Sequence, residues 1–333
     1  MNGKILVTGG AGYIGSHIVR MLAESGSEIV IVDDLSEGHA AAVPGIPLVR
    51  ADFADAAMLD SILGDGKVAA IVHMAAFCEV GQSVKDPASY YRNNLSRSLD
   101  LLDAAVRHGV RDVVFSSTAA VYGEPDALPI TEIHDQRPTN PYGETKLAVE
   151  RALGWYYGAY GLRSVSLRYF NAAGAHPSAE IGEDHANETH LIPRLLLGVL
   201  HGSEAVPIFG RDYPTPDGTC VRDYIHVVDL ARAHLLALEA LATGRVGCEA
   251  FNLGNGAGFS VLDVIETVGR ITGTRPATRD AERRAGDPAS LVASSARIAA
   301  RLGWRPSFDT LDEIVGSAWG WHRGHPRGYA TNG

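Results

Sequence analysis

The chain has 333 residues and a formal net charge of −10, from 29 Lys and Arg against 39 Asp and Glu. Apolar residues at 46% and charged residues at 20% are ordinary for a folded protein and exclude wholesale disorder. No apolar stretch approaches the roughly 18–20 residues of a membrane span, and an acidic chain without a Lys/Arg cluster is a poor match for nucleic acid or a membrane surface. Three scattered cysteines, Cys78, Cys220 and Cys248, suit neither a disulfide framework nor a zinc site. The first apolar run is too short for a secretory signal. These features predict a cytoplasmic protein with small-molecule partners and no metal.

In chain order, Ile5-Leu6-Val7 is followed by glycines and by a helical pattern over 16–25. Ile29-Val30-Ile31-Val32 then ends in Asp33-Asp34, and similar runs follow at Ile71-Val72-His73-Met74, Val113-Val114-Phe115 and 164–167. Such runs, rich in β-branched residues and bounded by Gly, Asp or Ser, predict parallel strands buried on both faces. Residues 89–108 and 142–160 are each long enough for a crossover helix. Strands alternating with helices predict a Rossmann-like α/β fold with a doubly wound parallel sheet.

After residue 170 the texture changes. Residues 171–189 lack periodicity, and 207–218 hold three prolines and two glycines, which predicts a loop. A short strand leading into a helix is expected over 221–241, with further helices over 261–272, 295–302 and 309–322. We expect residues 1–170 to form the nucleotide-binding domain and 171–333 a smaller substrate-binding domain. Residues 221–253 either stay with the second or return to the first.

The opening strand runs into Gly9-Gly10-Ala11-Gly12-Tyr13-Ile14-Gly15 and then a helix. Gly9 permits the tight turn, Gly12 lets the backbone approach a pyrophosphate, and Gly15 allows close helix packing. The helix N-terminus offers N–H groups and a favourable dipole to that anion. Asp33, eighteen residues past Gly15, ends the next strand, where a carboxylate accepts from an adenosine ribose and disfavours a 2′-phosphate. NAD is therefore expected rather than NADP, against the plainer reading in which Asp33 and Asp34 only terminate a strand. Asp52 is a weaker candidate for the adenine edge.

Tyr142-Gly143-Glu144-Thr145-Lys146 sets a tyrosine and a lysine on one helical face. An isolated phenol is a poor base at neutral pH, and a nearby ammonium with the positive nicotinamide would lower its pKa. With four lysines in the chain, such a pair rarely arises by chance; a surface helix pair is the alternative. Phe115-Ser116-Ser117-Thr118 ends an apolar run at the strand edge where ligands bind in open parallel sheets. Thr118 is placed to hydrogen-bond the reacting oxygen, whereas Ser116 is expected to cap the following turn.

With these residues in hand, the chain resembles the extended short-chain dehydrogenase/reductases, and within them the UDP-sugar 4-epimerases. The resemblance runs from about residue 4 to residue 328. It rests on Val7-Thr8-Gly9-Gly10-Ala11-Gly12-Tyr13-Ile14-Gly15-Ser16-His17 and on the Tyr142–Lys146 block. More specific are Arg168-Tyr169-Phe170-Asn171, Gly182-Glu183-Asp184, Asp217-Gly218-Thr219, Val221-Arg222-Asp223-Tyr224-Ile225-His226-Val227 and Arg283-Arg284-Ala285-Gly286-Asp287. It implies an NAD site lined by Tyr13, Ile14, Asp33, Asp34, Asp52, Phe53, Ala75, Ala76, Asn93, Lys146 and Phe170. It also implies a UDP-sugar site with Thr118, Asn171, His190, Leu191, Phe209, Arg222, Arg284, Asp287 and Leu291. Arginine forks suit a diphosphate.

The implied reaction removes a proton from the sugar 4-hydroxyl through Tyr142 while C4 gives hydride to NAD. The 4-keto sugar then turns over about its diphosphate link before hydride returns to the other face, interconverting UDP-glucose and UDP-galactose. Against the best-known pattern, Cys78 replaces a lysine beside the cofactor, His190 an asparagine, and Thr118 a serine. Leu291 stands where some relatives carry a tyrosine, which opens the alternative of N-acetylated or other UDP-sugars. A 4,6-dehydratase would usually show an Asp-Glu pair where this chain has Ala119-Ala120. An idle NAD-sensing regulator would need neither Tyr142 nor Lys146. A homodimer pairing the helices of 89–108 and 142–160 is expected.

Overall fold

The computed structural model describes residues 3–202, 205–284 and 287–329; Ala285 and Gly286 of the quoted motif lie outside the described residues. Strands β1 (Lys4–Thr8), β2 (Ile29–Asp33), β3 (Leu48–Arg50), β4 (Val68–His73), β5 (Asp112–Thr118) and β6 (Arg163–Tyr169) alternate with helices. These helices are α1 (Tyr13–Glu24), α2 (Ala56–Leu63), α3 (Val80–Lys85), α4 (Pro87–Tyr90), α5 (Arg97–Arg107) and α6 (Pro141–Tyr160). There follow β7 (Asn171–Ala173), α7 (Leu191–His201), β8 (Val206–Phe209), β9 (Val221–His226), α8 (Val227–Ala242), β10 (Cys248–Leu253) and β11 (Gly258–Ser260). The chain continues through α9 (Val261–Thr272), β12 (Thr278–Ala281), β13 (Ser290–Leu291), α10 (Ala296–Leu302) and α11 (Leu311–Gly324). No described helix is long and apolar enough to cross a membrane.

Seven strands form one parallel sheet in the order β10-β6-β5-β4-β1-β2-β3. All five residues of β2 and all seven of β5 are buried, as expected of strands covered on both faces. One face packs Ile18, Val19 and Leu22 of α1 with Leu230, Ala233 and Ala237 of α8. The other packs Leu59 and Leu63 of α2 with Leu101 of α5 and Val149 of α6. The chain order reverses between β1 and β4, and a crevice opens at the carboxyl ends of strands at such a switch point. There the two loops meet closely: a Cβ on Gly9, whose φ is +70°, would lie 2.6 Å from the Ala75 nitrogen.

Residues 227–253 lie with this sheet, α8 on α1 and β10 beside β6. A second sheet carries β9 between β11 and β13, with β7 also paired to β9. Its cover comes from α7, α9 and α11 through Leu195, Ile265 and Ile314.

Two segments depart from the sequence-based expectation. The loop expected over 207–218 begins as β8, which pairs with β12; Pro207 is tolerated because a strand in a two-stranded pair leaves one edge without ladder bonds. The single helix expected over 89–108 is instead α4, a π-helical turn at Tyr91–Ser96, and α5. Within that wider turn Asn94 accepts from the Phe77 amide and donates to the Phe77 carbonyl, both at 2.9 Å. This side-chain clamp holds the turn and the loop after β4 together.

Candidate active site

A cleft of about 720 Å³ runs along the switch point, within the size range of small-molecule sites. Gly9, Gly12, Tyr13, Ile14 and Gly15 line one end. The N-cap of α1 is Gly12, with no side-chain cap, and a Cβ on it would meet only the Gly9 carbonyl at 3.5 Å. No side chain therefore covers the first amides of α1, and the dipole end faces the cleft as a dinucleotide pyrophosphate requires. Gly15 serves the turn itself: its Cβ would sit 2.1 Å from the Gly9 oxygen.

Asp33 is buried and lines the cleft. Its Oδ2 accepts from Ala11 N and its Oδ1 from Leu35 N, each at 2.9 Å. Burial raises its carboxyl, and these amides oppose the rise. It shapes the glycine turn while keeping further lone pairs for a ribose. Asp34, Asp52, Phe53, Ala75, Ala76 and Asn93 line the same cavity. Asp52 pairs with Arg97 at 2.9 Å, a partner that sequence reasoning missed.

At the other end stand Thr118, Tyr142, Lys146, Phe170, Asn171 and His190. The helix α6 starts cleanly: Asn140 caps it by accepting from Gly143 N at 2.9 Å, and Pro141 takes the first helical position. This fixes Tyr142 in the first turn, and Lys146 one turn later donates to the Ser116 carbonyl at 2.7 Å. Burial draws the Lys146 ammonium down to about 8, opposed in part by the charge of Glu150. Burial also pushes the Tyr142 phenol well above its ordinary value, while a hydrogen bond with Thr118 pulls it back. Lys146 Nζ lies 5.9 Å from the Tyr142 ring centroid; the expected lowering of the phenol joins this ammonium with the positive charge of the nicotinamide, and the protein residues alone leave the phenol high.

Cap assignment at the strand end is also corrected. Thr118, not Ser116, accepts from Ala120 N at 3.1 Å and caps the following turn. The Ser116 carbonyl instead anchors Lys146.

The other substrate candidates do not line this cleft. Arg222 donates to the carbonyls of Val221 and Pro288 at 2.9 Å and faces Asp287 at 3.6 Å. Arg284 pairs with Asp287 at 3.1 Å and lies over Phe209, 4.5 Å from its centroid. These four form one group on the second sheet and its flanking strands. Leu291 pairs in register with Arg222 and packs against the same buried cluster of Val121, Tyr122, Ile130 and Leu147 as the cleft residue Phe170, which links that group to the cleft. Leu191 opens α7 and packs against the second core. Glu183, His185, Asn187 and Thr189 also line the cleft; the block Gly182-Glu183-Asp184 marks their loop in the sequence, but nothing periodic placed their side chains.

The cleft joins a dinucleotide-binding turn to a proton-transfer pair on a doubly wound sheet, which defines a class of nicotinamide-dependent enzymes. Residues 5–254 match the NAD dependent epimerase/dehydratase family, and the chain belongs to that family. It is 52% identical to a UDP-glucose 4-epimerase of Halalkalibacterium halodurans over 98% of both chains. The UDP-glucose 4-epimerase of Brucella ovis, solved in complex with NAD, is 47% identical with a TM-score of 0.92, covering 95% of this chain and 97% of that one. That of Bifidobacterium longum, solved with NAD+ and UDP, is 35% identical with a TM-score of 0.92, covering 98% and 100%.

Proposed function

We propose that the protein is an NAD-dependent isomerase that interconverts UDP-glucose and UDP-galactose by inverting C4 of the sugar. The observation that carries the reading is the buried Tyr142–Lys146 pair in one cleft with an uncapped, glycine-led helix N-terminus, in a chain half-identical to an epimerase. Bound NAD supplies a reversible hydride acceptor for C4 and a positive ring charge in the cleft. Tyr142 exchanges the proton of the 4-hydroxyl, and Thr118 shares the hydrogen bond that steadies its oxygen. Lys146, held by Ser116, orients beside it. Asp33, with Asp34 and Asp52 nearby, holds the adenosine half, and Phe53, Ala75, Ala76, Asn93 and Phe170 wall the cofactor.

Arg222, Arg284 and Asp287, with Phe209, Leu191 and Leu291, hold the UDP-sugar from the second sheet, and Asn171 and His190 meet it from the cleft. The anchored diphosphate and loosely held sugar let the 4-keto intermediate present either face. We assign residues 4–170 with 227–253 to the NAD half and the remainder to the UDP-sugar half of a cytoplasmic enzyme.

A homodimer through α5 and α6 is part of the proposal. Support comes from Trp155 on α6, 80% exposed, with Tyr157 and Tyr160 also exposed there, since exposed apolar clusters mark interaction surfaces.

The test uses purified protein and UDP-galactose without added cofactor, followed by the sugar anomeric signals in NMR. Appearance of UDP-glucose is expected. No conversion, even with NAD added, overturns the assignment.

A further inference from the structure

Beyond α11 the chain folds back through a tight turn. The Gly328 amide donates to the His325 carbonyl at 3.0 Å. Gly328 has a φ of +63°, and a Cβ on it would collide with the Asp184 carboxylate, so glycine is required there on both counts. The turn delivers Tyr329 onto the loop after β7. Its amide donates to Asp184 Oδ2 at 2.8 Å. Its hydroxyl accepts from Gly182 N at 3.0 Å and donates to the Gly182 carbonyl at 3.3 Å. The ring packs on Trp321, 4.7 Å between centroids, and on the His39 imidazole at 5.0 Å.

His39 carries the contact to the loop after β2. Its Nε2 donates to the Asp184 carbonyl at 3.1 Å and lies 3.5 Å from Asp184 Oδ2. Its backbone amide donates to the Ala11 carbonyl at 2.9 Å, inside the glycine turn that Asp33 shapes through Ala11 N. Glu37 and Gly38, just before His39, line the cleft, as do Glu183 and His185 on either side of Asp184. Tyr329 lies outside the cleft lining, yet it joins two loops that wall it. Those loops separate only when these contacts break.

We propose that Tyr329 is a positioning residue that clasps the two loops together and so keeps the nicotinamide cofactor in the cleft from one hydride transfer to the next. The inference rests on the function proposed above, in which hydride returns to the sugar from the same cofactor. A chain that let its reduced cofactor go in mid-cycle would strand the keto sugar. Contacts made only in the closed arrangement lower the population of the open one. Their loss therefore speeds cofactor release and leaves the chemistry at Tyr142 and Lys146 as it was.

The test mixes the full-length protein, loaded with NAD, with an excess of isotopically labelled NAD, and follows replacement of the bound cofactor by mass spectrometry after rapid desalting. Y329F keeps the ring contacts and loses the two hydroxyl bonds to Gly182, so exchange should quicken about 2–10-fold. Y329A loses the ring as well and should exchange at least about 10-fold faster, with the parent's kcat at saturating NAD. Because His39 and Tyr329 act in one clasp, H39A/Y329A should exchange little faster than Y329A alone. Exchange at the parent's rate in both Tyr329 variants overturns the clasp, as does a loss of kcat in Y329A that saturating NAD does not restore. Effects of H39A and Y329A that simply multiply also overturn it. Where Y329A fails to fold, Y329F decides. A parent chain that binds no NAD overturns the cofactor reading itself, and the clasp with it.

Discussion

Tyr142 and Lys146 are both buried, and burial acts on them in opposite directions: it keeps the phenol protonated and makes the ammonium costly. The folded pKa of Lys146, about 8, lies below its value of 10.5 in the open chain. Its charge therefore opposes folding at neutral pH, and the penalty fades as pH rises from about 8 towards 10.5. The shift corresponds to an order of 3 kcal/mol, against which stands one hydrogen bond to Ser116, worth about 1 kcal/mol. K146M should be no less stable than the parent at pH 7 while losing roughly 10²–10⁴ in turnover. Thermal melts beside the NMR assay check this, and a markedly lower melting temperature with activity retained would contradict it.

At the scale of elements, a buried network fixes the strand ends that carry the site. Arg168 on β6 reaches Glu150 on α6 through Nε at 3.0 Å and Nη2 at 2.5 Å, and donates to Tyr122 at 2.8 Å. Tyr122 donates to Asn252 on β10 at 2.6 Å, and Ser117 on β5 also donates to Glu150. R168M leaves the Glu150 carboxylate buried and short of its cation, and breaking such a pair costs about 3–5 kcal/mol. Urea unfolding should show a loss of that size, partly restored in E150Q/R168M; a loss below about 1 kcal/mol would contradict the burial argument.

This network was illegible in the sequence because hydrogen-bonded partners within it sit up to 130 positions apart. The parallel strands were legible because burial on both faces writes itself as short apolar runs. Gly9 to Gly15 and Tyr142/Lys146 were legible for a related reason: their geometry is set within one turn or one helix. The loop of 174–190 was not, since Glu183, His185 and His190 meet only when an aperiodic segment folds against Trp321. The π turn at Tyr91–Ser96 was likewise hidden, because Asn94 takes its partner from the loop after β4.

For the whole molecule, the proposed function has the switch point of one sheet and the group around Arg222 on the other act on the same ligand. Phe170 and Leu291 both pack against the buried cluster of Val121, Tyr122, Ile130 and Leu147, which gives the cleft and the Arg222 group a common support. If the proposed homodimer uses the exposed face of α6, W155E should shift the particle from dimer to monomer in sedimentation velocity, whereas an unchanged dimer would move the interface elsewhere. The central claim is that C4 loses and regains the same hydrogen within one closed cleft. Its most direct test is UDP-galactose carrying deuterium at C4, converted in ordinary water beside an unlabelled, mass-distinguishable UDP-galactose. The account predicts UDP-glucose with deuterium retained at C4 and none passed to the companion; loss of the label to water, or its appearance in the other sugar, would contradict it.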